Sequence, residues 1–487
     1  MTTDTSEKGL ENIIEAFLLD KKGERDESLR WIRRESKDFN KEFCLDKGML
    51  RTFLESTQLQ KVNRGHIFET PLNMRKFYER VRSQISQRGV VDVLRRGVEH
   101  NATIFDFYYP LPAKANLAAQ EAYRQNRWSV VRQLHYSQTQ TRDSIDIVLM
   151  LNGLPIITME LKNELSCQNC DDAVKQYRRD RNPKELLFMP KRCAVHFAVD
   201  DAEVQMCTKL SGESSWFLPF NKGVDDGAGN PVNDNGLKTA YLWEEILQKP
   251  SLSEILENFA QVIKKKDEDT GKTVESIIWP RYHQLEVVRA LIADTRQKES
   301  GQRYLIQHSA GSGKSNSITW LAFQLVNLKK EDEITPRFES VIVITDKVNL
   351  DKQIRDNIRA FCNNKSIVEW ADDSDALKKA LAAGKKIIVS TICKFPFILQ
   401  TLGKELASRK FCVIIDEAHS SQSGSMQSAL NRVLSGYGHK DVQVEDTEDG
   451  LNELLSYVVS GRMMAKNTNF YAFTATPKPK TLQMFGI

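Results

Sequence analysis

The chain has 487 residues, 40% of them hydrophobic, and a formal net charge of +4 at neutral pH. That length suits two or three domains with ordinary cores, and a charge so close to neutral does not by itself announce a nucleic-acid partner. The acidic, polar amino terminus lacks a signal peptide's basic start and apolar core, no run approaches the ~18 apolar residues of a membrane span, and the eight scattered cysteines fit reduced thiols in the cytoplasm.

Residues 1–100 are charged and read mainly as helices without a chemical motif, with Ile13, Phe17, Leu18 and Trp31 as satellite core contacts. A mixed α/β core is expected over 101–220. Within it Ile145–Leu151 reads as a strand, Asn152-Gly153 as a hairpin turn and Leu154–Lys162 as the return strand. A two-residue turn would set Asp146 opposite Met159 and mix the two faces. A three-residue loop of Asn152, Gly153 and Leu154 sets Asp146 opposite Glu160 and leaves Ile145–Leu161, Ile147–Met159 and Leu149–Ile157 as one apolar face. A one-residue slip turns every side chain over, so the apolar face selects the second register.

In that register Asp146, Glu160 and Lys162 share one face at one end of the hairpin. Two opposed carboxylates repel unless a cation lies between them, and Mg²⁺ takes one or two carboxylates. Lys162 beside them suits positioning a water or stabilising charge on a phosphate, the geometry of metal-assisted phosphodiester hydrolysis. Arg178, Arg179 and Arg181 follow and read either as phosphate contacts or as a solvated helix face. Cys167 and Cys170 form a Cys-x-x-Cys pair, but with no second pair zinc is not expected. Asn221–Gly236 reads as a loop, Leu237–Ile263 as helical, and Lys264–Gly271 as a solvated linker, which makes 221–276 a bridge to a last region, 277–487.

That region carries the strongest signal. Tyr304–Gln307 reads as a strand, His308–Gly313 as a glycine loop and Ser315–Leu325 as a helix, the context a phosphate loop requires. Gly311, Ser312 and Gly313 turn backbone N–H groups toward phosphate, Lys314 reaches the β- and γ-phosphates, and the Ser315 hydroxyl ligates Mg²⁺. His308 stands where the usual first glycine would. Phe411–Ile415 is an apolar run fit for a buried parallel strand. Asp416 and Glu417 fall at its carboxyl end, the first to hold Mg²⁺ and the second to orient or deprotonate the attacking water.

Asp416-Glu417-Ala418-His419 and Thr474-Ala475-Thr476-Pro477 resemble motifs II and III of superfamily 2 helicases and translocases. Val341–Lys347, with Leu350 and Gln353, resembles motif Ia. Ser390–Phe395 resembles the next DNA-contact motif. Pro280–Gln284 resembles the glutamine motif, which implies that Gln284 reads adenine with Tyr282 bracing it. Upstream, Asn126, Trp128–Gln133, Ile145–Val148, Asn152–Pro155 and Glu160–Asn163 resemble the PD-(D/E)xK nuclease of the type I restriction enzyme motor subunit. That family continues with Gln-x-x-x-Tyr on a helix. Gln176 fits, but Asp180 holds the tyrosine position and Tyr177 directly follows the glutamine. An upstream helical acid sometimes completes such sites, and Glu121 is the candidate.

The resemblance implies an α/β chain, with a mixed-sheet nuclease domain followed by a RecA-like parallel P-loop lobe. It implies ATP and Mg²⁺ as cofactors, double-stranded DNA as substrate, and methyltransferase (M) and specificity (S) subunits as partners in a cytoplasmic complex. The family's second RecA-like lobe brings an arginine finger worth 10³-fold or more in rate. No segment before Ile487 matches it, so this chain is expected to be the N-terminal part of a longer motor, able to bind ATP and poor at hydrolysing it. The rival readings are another helicase–nuclease, such as a type III restriction subunit, against which the nuclease-first order argues, and a DNA-binding assembly module with a vestigial nuclease.

Overall fold

The computed structural model describes residues 7–113, 116–163, 167–224, 227–266, 271, 273–309, 311–330, 332, 334–345, 348–361, 367–371, 373–391, 409–416 and 467–475. The chain divides into two compact units, Met1–His283 and Gln284–Ile487.

The first unit opens with α1 (Glu7–Leu19), β1 (Ile32–Arg34), α2 (Lys47–Arg64), α3 (Pro71–Arg88), α4 (Val90–Arg96) and α5 (Leu117–Arg124). Then follow β2 (Trp128–His135), β3 (Ser144–Leu151), β4 (Leu154–Leu161), α6 (Cys170–Arg179), β5 (Val195–Val199), β6 (Val204–Cys207) and β7 (Leu218–Pro219). These strands form one seven-stranded sheet in the order β1-β2-β3-β4-β5-β6-β7. The β1–β2 and β4–β5 pairs are parallel and the rest antiparallel, a mixed sheet. The amino-terminal residues are mainly helical, but they are not a separate region. Ile32 pairs with Ser129 at the sheet edge, and Arg132 of β2 binds Glu11 of α1 at 2.7 Å.

Every residue of β4 is buried, as expected of a strand covered on both faces. Its hairpin with β3 reaches the expected register by an unexpected route. Asn152 and Gly153 both have positive φ, 51° and 83°, the mark of a two-residue type I′ turn. Leu151 therefore opposes Leu154, and Met150 opposes Pro155. The ladder then shifts by one, so that Leu149 opposes Ile157 and Ile147 opposes Met159. The extra residue is Ile156. Pro155, with no N–H to give the ladder, makes a bulge cheap at this point. A tight turn followed by a bulge does what the sequence reading assigned to a three-residue loop.

The turn is locked from outside. Asn152 is fully buried. Its Oδ1 accepts the Arg127 backbone N–H at 2.6 Å, and its Nδ2 donates to the Phe107 carbonyl at 2.9 Å and to Asn126 Oδ1 at 3.0 Å. The Gly153 carbonyl accepts the Asp46 N–H at 2.8 Å.

Beyond the sheet, a π-helical turn (Leu242–Ile246) and α7 (Lys249–Asn258) lead into an antiparallel hairpin, β8 (Gln261–Lys266) with β9 (Thr273–Ile278). The lysine run read as linker is therefore the flank of a hairpin, where Lys264 pairs with Glu275 at 2.8 Å.

The second unit begins inside α8 (Tyr282–Gln297). It continues with β10 (Arg303–Gln307), α9 (Lys314–Asn327), β11 (Ser340–Thr345), α10 (Val348–Phe361), β12 (Val368–Trp370), α11 (Ser374–Ala382), β13 (Ile387–Thr391), β14 (Phe411–Ile415) and β15 (Thr468–Thr474). Its sheet runs β10-β15-β14-β11-β13-β12 with every pair parallel. Strands β11, β14 and β15 are buried throughout, as the inner strands of a parallel sheet generally are. The fold class is α/β, a mixed sheet followed by an all-parallel sheet. Among the described residues no helix is long and apolar enough to cross a membrane.

A Cβ on Gly153 would lie 2.4 Å from the Asp46 carbonyl oxygen, at a positive φ. Gly153→Ala is therefore expected to cost ~1–3 kcal/mol from backbone strain alone, with the clash added. A thermal melt of the full chain should show its earliest transition lowered; an unchanged melt would contradict the locked turn.

Candidate functional site

Asp146 is half-buried on β3 and held by two donors. Its Oδ2 accepts the Leu161 backbone N–H at 2.8 Å, and its Oδ1 accepts the Gln133 side-chain amide at 3.0 Å. Gln133 stands across from Asp146 on β2, between the Arg132–Ile147 and Leu134–Ile145 pairs, with φ at 46°. The same amide nitrogen donates to Glu11 at 2.6 Å. Glu11 is 4% exposed. Burial holds its carboxyl above the usual range, against the hydrogen bonds of Arg132 and Gln133, and the charge of Asp146 adds to the rise.

Sequence reasoning missed Glu11. It offered Glu121 as the candidate helical acid; Glu121 is exposed on α5, and among the described residues it meets Arg124 at 3.5 Å and Gln125 at 2.8 Å. The signal for Glu11 was present: Glu11 and Glu15 run beside the buried stripe of Leu10, Ile14 and Leu18, and charges so placed are seldom buried without a partner.

Glu160 lies level with Asp146 in the register of Ile147 and Met159 and is fully buried. Burial first and the Asp146 charge second push its carboxyl well above the ordinary range, while the Arg181 guanidinium opposes them. Arg181, 8% exposed just beyond α6, donates from Nε to Glu160 Oε1. Glu160 Oε2 is buried without a hydrogen-bond partner. Lys162 follows directly, 9% exposed, its backbone N–H donating to the Val199 carbonyl at 2.8 Å. On α6 the Gln176 carbonyl accepts the Asp180 and Arg181 N–H groups at 2.9 and 3.2 Å, and its Oε1 is buried and unpartnered. Tyr177 turns fully inward, its hydroxyl 2.8 Å from Thr158 Oγ1, which also meets His196 Nδ1 at 2.7 Å.

The arginines after the hairpin differ in their surroundings, Arg179 being exposed and Arg181 buried. Arg181 is the counter-charge of Glu160, Arg178 donates to the Ser215 carbonyl at 2.9 Å, and Arg179 pairs with Glu213 at 2.9 Å. Cys170 is buried with its thiol on the Ala198 carbonyl at 3.2 Å, while Cys167 is exposed.

The oxygen set fits Mg²⁺. Glu160 Oε2 and Gln176 Oε1 are buried acceptors that no donor among the described residues satisfies, and such groups are costly unless something binds them. No cluster of three His, Cys, Asp or Glu side chains able to hold a metal occurs among the described residues. Mg²⁺ does not need one, since it usually takes one or two carboxylates and fills its octahedron with water and phosphate oxygens.

In the second unit the loop after β10 has Gly311 and Gly313 at φ of 75° and 84°, a curvature that turns consecutive N–H groups inward. Gly313 directly precedes α9, whose first two residues are Lys314 and Ser315. Gln284 is 3% exposed, and its Nε2 donates to the Ser312 and Gly313 carbonyls at 3.1 and 3.0 Å. A Cβ on Gly313 would come within 2.4 Å of that nitrogen. Lys314 Nζ lies 3.4 Å from Asp416 Oδ1, at the end of β14, and burial pushes its ammonium down against that pairing.

His308 occupies the first-glycine position as a brace. Its Nδ1 meets the Ser312 hydroxyl, its Nε2 lies 3.2 Å from Ser317 Oγ, and its backbone N–H donates to the Thr474 carbonyl at 2.8 Å. Glu417, Ala418-His419, Thr476-Pro477, Asp346-Lys347 and Ile392–Phe395 lie outside the described residues, as do the side chains of Leu350 and Gln353.

Comparison with known proteins finds two family matches along the chain. Residues 6–215 match the family described as type I restriction enzyme R protein N terminus, and residues 283–439 match the SWI2/SNF2 ATPase family. Residues 6–215 thus resemble the N terminus of type I restriction enzyme R proteins. The second match, to an ATPase family, implies nucleotide use. Curated relatives include the type I restriction enzyme HindI endonuclease subunit of Haemophilus influenzae, 28% identical over 335 residues, 65% of this chain and 30% of the relative. Another is the type I restriction enzyme SauCOLORF180P endonuclease subunit of Staphylococcus aureus, 23% identical over 323 residues, 64% of this chain and 31% of the relative. The alignments thus span about 30% of these relatives' length. Among solved structures, the Sulfolobus solfataricus SWI2/SNF2 ATPase core in complex with dsDNA aligns at 14% identity and a TM-score of 0.26, over 42% of this chain and 34% of that one.

Removing one partner of a buried ion pair typically costs ~3–5 kcal/mol, because the other charge stays buried. Arg181→Met should therefore lower the melting temperature sharply, and adding Glu160→Gln should restore much of the loss. Equal melts for the single and double variants would show that the pair is not coupled.

Proposed function

We propose that this chain is the cutting and pumping subunit of a type I restriction–modification complex: a Mg²⁺-dependent endonuclease on double-stranded DNA joined to an ATP-driven DNA translocase. The observation that carries the nuclease half is the level placement of Asp146 and Glu160 with a buried, unsatisfied Glu160 oxygen between β4 and α6. Asp146 and Glu160 would hold the metal, with Gln176 supplying a further oxygen. Bound Mg²⁺ would supply Lewis acidity toward the scissile phosphate and lower the pKa of a coordinated water.

The protein's own groups do the rest. Gln133 fixes the free direction of Asp146 and ties it to Glu11, a third acid within reach of the same electrostatic field. Lys162, one residue beyond β4, is placed to orient the attacking water or to meet charge developing on the phosphate.

For the motor half, Gly311, Ser312, Gly313 and Lys314 would cradle the phosphates. Ser315 and Asp416 would hold the Mg²⁺ that accompanies ATP. Gln284, bound to the loop carbonyls, would link the adenine to the loop's shape, and Glu417 would activate water. The SWI2/SNF2 match supports translocation as the use of ATP. Methyltransferase and specificity subunits would supply DNA recognition, and the complex would act in the cytoplasm.

A nicking assay on the assembled complex tests this reading. Lys162→Ala should abolish cleavage while ATP consumption continues, and Lys314→Ala should abolish both ATP binding and cleavage. Unchanged cutting by Lys162→Ala would sink the nuclease assignment, and retained ATP affinity in Lys314→Ala would sink the phosphate loop.

A further inference from the structure

The first unit contains a second concavity that the nuclease reading does not use. It has a volume of about 790 Å³ and lies between the Asp26–Arg30 turn, the end of α5 with Gln125–Trp128, and the start of α7. That size falls within the roughly 300–1,000 Å³ common for small-ligand sites. It stands apart from the carboxylates. Trp128 pairs with Leu151 at the turn end of the β2–β3 ladder, whereas Gln133, beside Asp146, is five residues on, a distance of ~16 Å along a strand.

Its charges are unbalanced. Lys249 donates to the Ser28 carbonyl at 2.8 Å, and among the described residues no carboxylate pairs with it. Burial, aided by the positive Arg25, pushes its ammonium down to about 8. Arg127 has a buried Nε with no hydrogen-bond partner, and no carboxylate pairs with it among the described residues. The acids on the rim do not answer these two cations. Asp26 accepts the Ser28 N–H at 2.8 Å and its charge is answered by Arg124 and Arg30, and Glu27 is exposed. Arg30 is already neutralised by Asp20 at 2.9 Å. Lys249 also sits in the first turn of α7, whose N-cap Gln248 makes no side-chain cap, so the positive end of a helix dipole adds to the same field. Leu29, Leu111, Pro112 and Pro250 supply apolar wall, and Tyr123 an aromatic one.

Two partly desolvated cations without carboxylate partners among the described residues, facing a half-open cleft with apolar and aromatic walls, describe an anion site with room for more than the anion. We propose that this cleft binds a small phosphate-bearing ligand of nucleotide size, with Lys249 and Arg127 as the partners of its phosphate. The limited volume of about 790 Å³ suits a mononucleotide better than a DNA strand. The Arg127 backbone also pairs with Asn152 in the turn of the β3–β4 hairpin, so a ligand here would bear on the element that carries Asp146 and Glu160.

The test uses the full chain with Lys314→Ala to silence the phosphate loop. ATP, AMP and inorganic phosphate are titrated calorimetrically, with a single-stranded oligonucleotide as a fourth probe. At least one nucleotide should still bind, inorganic phosphate should compete with it, and Lys249→Met or Arg127→Met should weaken binding about tenfold or more. Lys249→Arg should keep the affinity, which guards against a loss due only to misfolding. Absence of nucleotide binding, or binding indifferent to both methionine variants, would overturn the proposal. Lys249-dependent binding of the oligonucleotide alone would overturn it in favour of a DNA path. Because Lys249 and Arg127 lie outside both catalytic sets, failure here leaves the nuclease and motor readings standing.

Discussion

A carboxylate with no exposed surface, set beside a second carboxylate, is the constraint around which the first unit is built. Leaving Glu160 charged in that position is unfavourable on two counts, lost hydration and the repulsion of Asp146. The chain answers with one buried guanidinium, Arg181, and with donors that fix Asp146 from both sides. It leaves one Glu160 oxygen and one Gln176 oxygen unanswered. A protein that merely needed stability would place apolar side chains there, since replacing buried ion pairs by well-packed apolar groups is often neutral or stabilising. The retained charges are better explained by a cation that completes them.

The fold serves this arrangement through its register. The turn at Asn152-Gly153 is held by the segments before β2 and by α2's entry, and the bulge at Ile156 slips the ladder by one residue before it reaches the carboxylates. Without the slip, Glu160 would face the other side of the sheet. From the opposite flank α1 brings Glu11 to Gln133, and Arg132 secures it. In the second unit the phosphate loop is shaped in a comparable way, by side chains that hold backbone. Gln284 takes two loop carbonyls, and His308 ties the loop's serine and the first turns of α9 to the neighbouring β15.

Much of this was legible in the sequence because the relevant signals are local or periodic. The continuous apolar run of β14, the Asn-Gly turn and the Gly-x-Gly-Lys-Ser loop each carry their structure within a few residues. The register of Asp146 and Glu160 was legible from the apolar partner face, although the device that sets it was not; Pro155, the residue that makes the bulge cheap, was the overlooked clue. What escaped depends on distant contacts. Glu11 is more than 120 residues from the strands it serves, and Arg181 looks from sequence like any arginine after a basic helix end. The lysine run at Lys264 read as linker because its partner, Glu275, lies across a hairpin that charge alone does not signal. Residues 1–100 read as a separate helical region because a three-residue edge strand such as β1 has too short a pattern to stand out.

The central claim is that the paired carboxylates form a metal site. Its most direct test is calorimetric titration of the full chain with Mn²⁺, as a surrogate for Mg²⁺, in the absence of nucleotide and DNA. The account predicts saturable binding that is lost or weakened at least about tenfold in both Asp146→Asn and Glu160→Gln, with the melting temperature of the parent chain rising on metal addition. Mn²⁺ affinity unchanged by either substitution, in variants that remain folded, would contradict it.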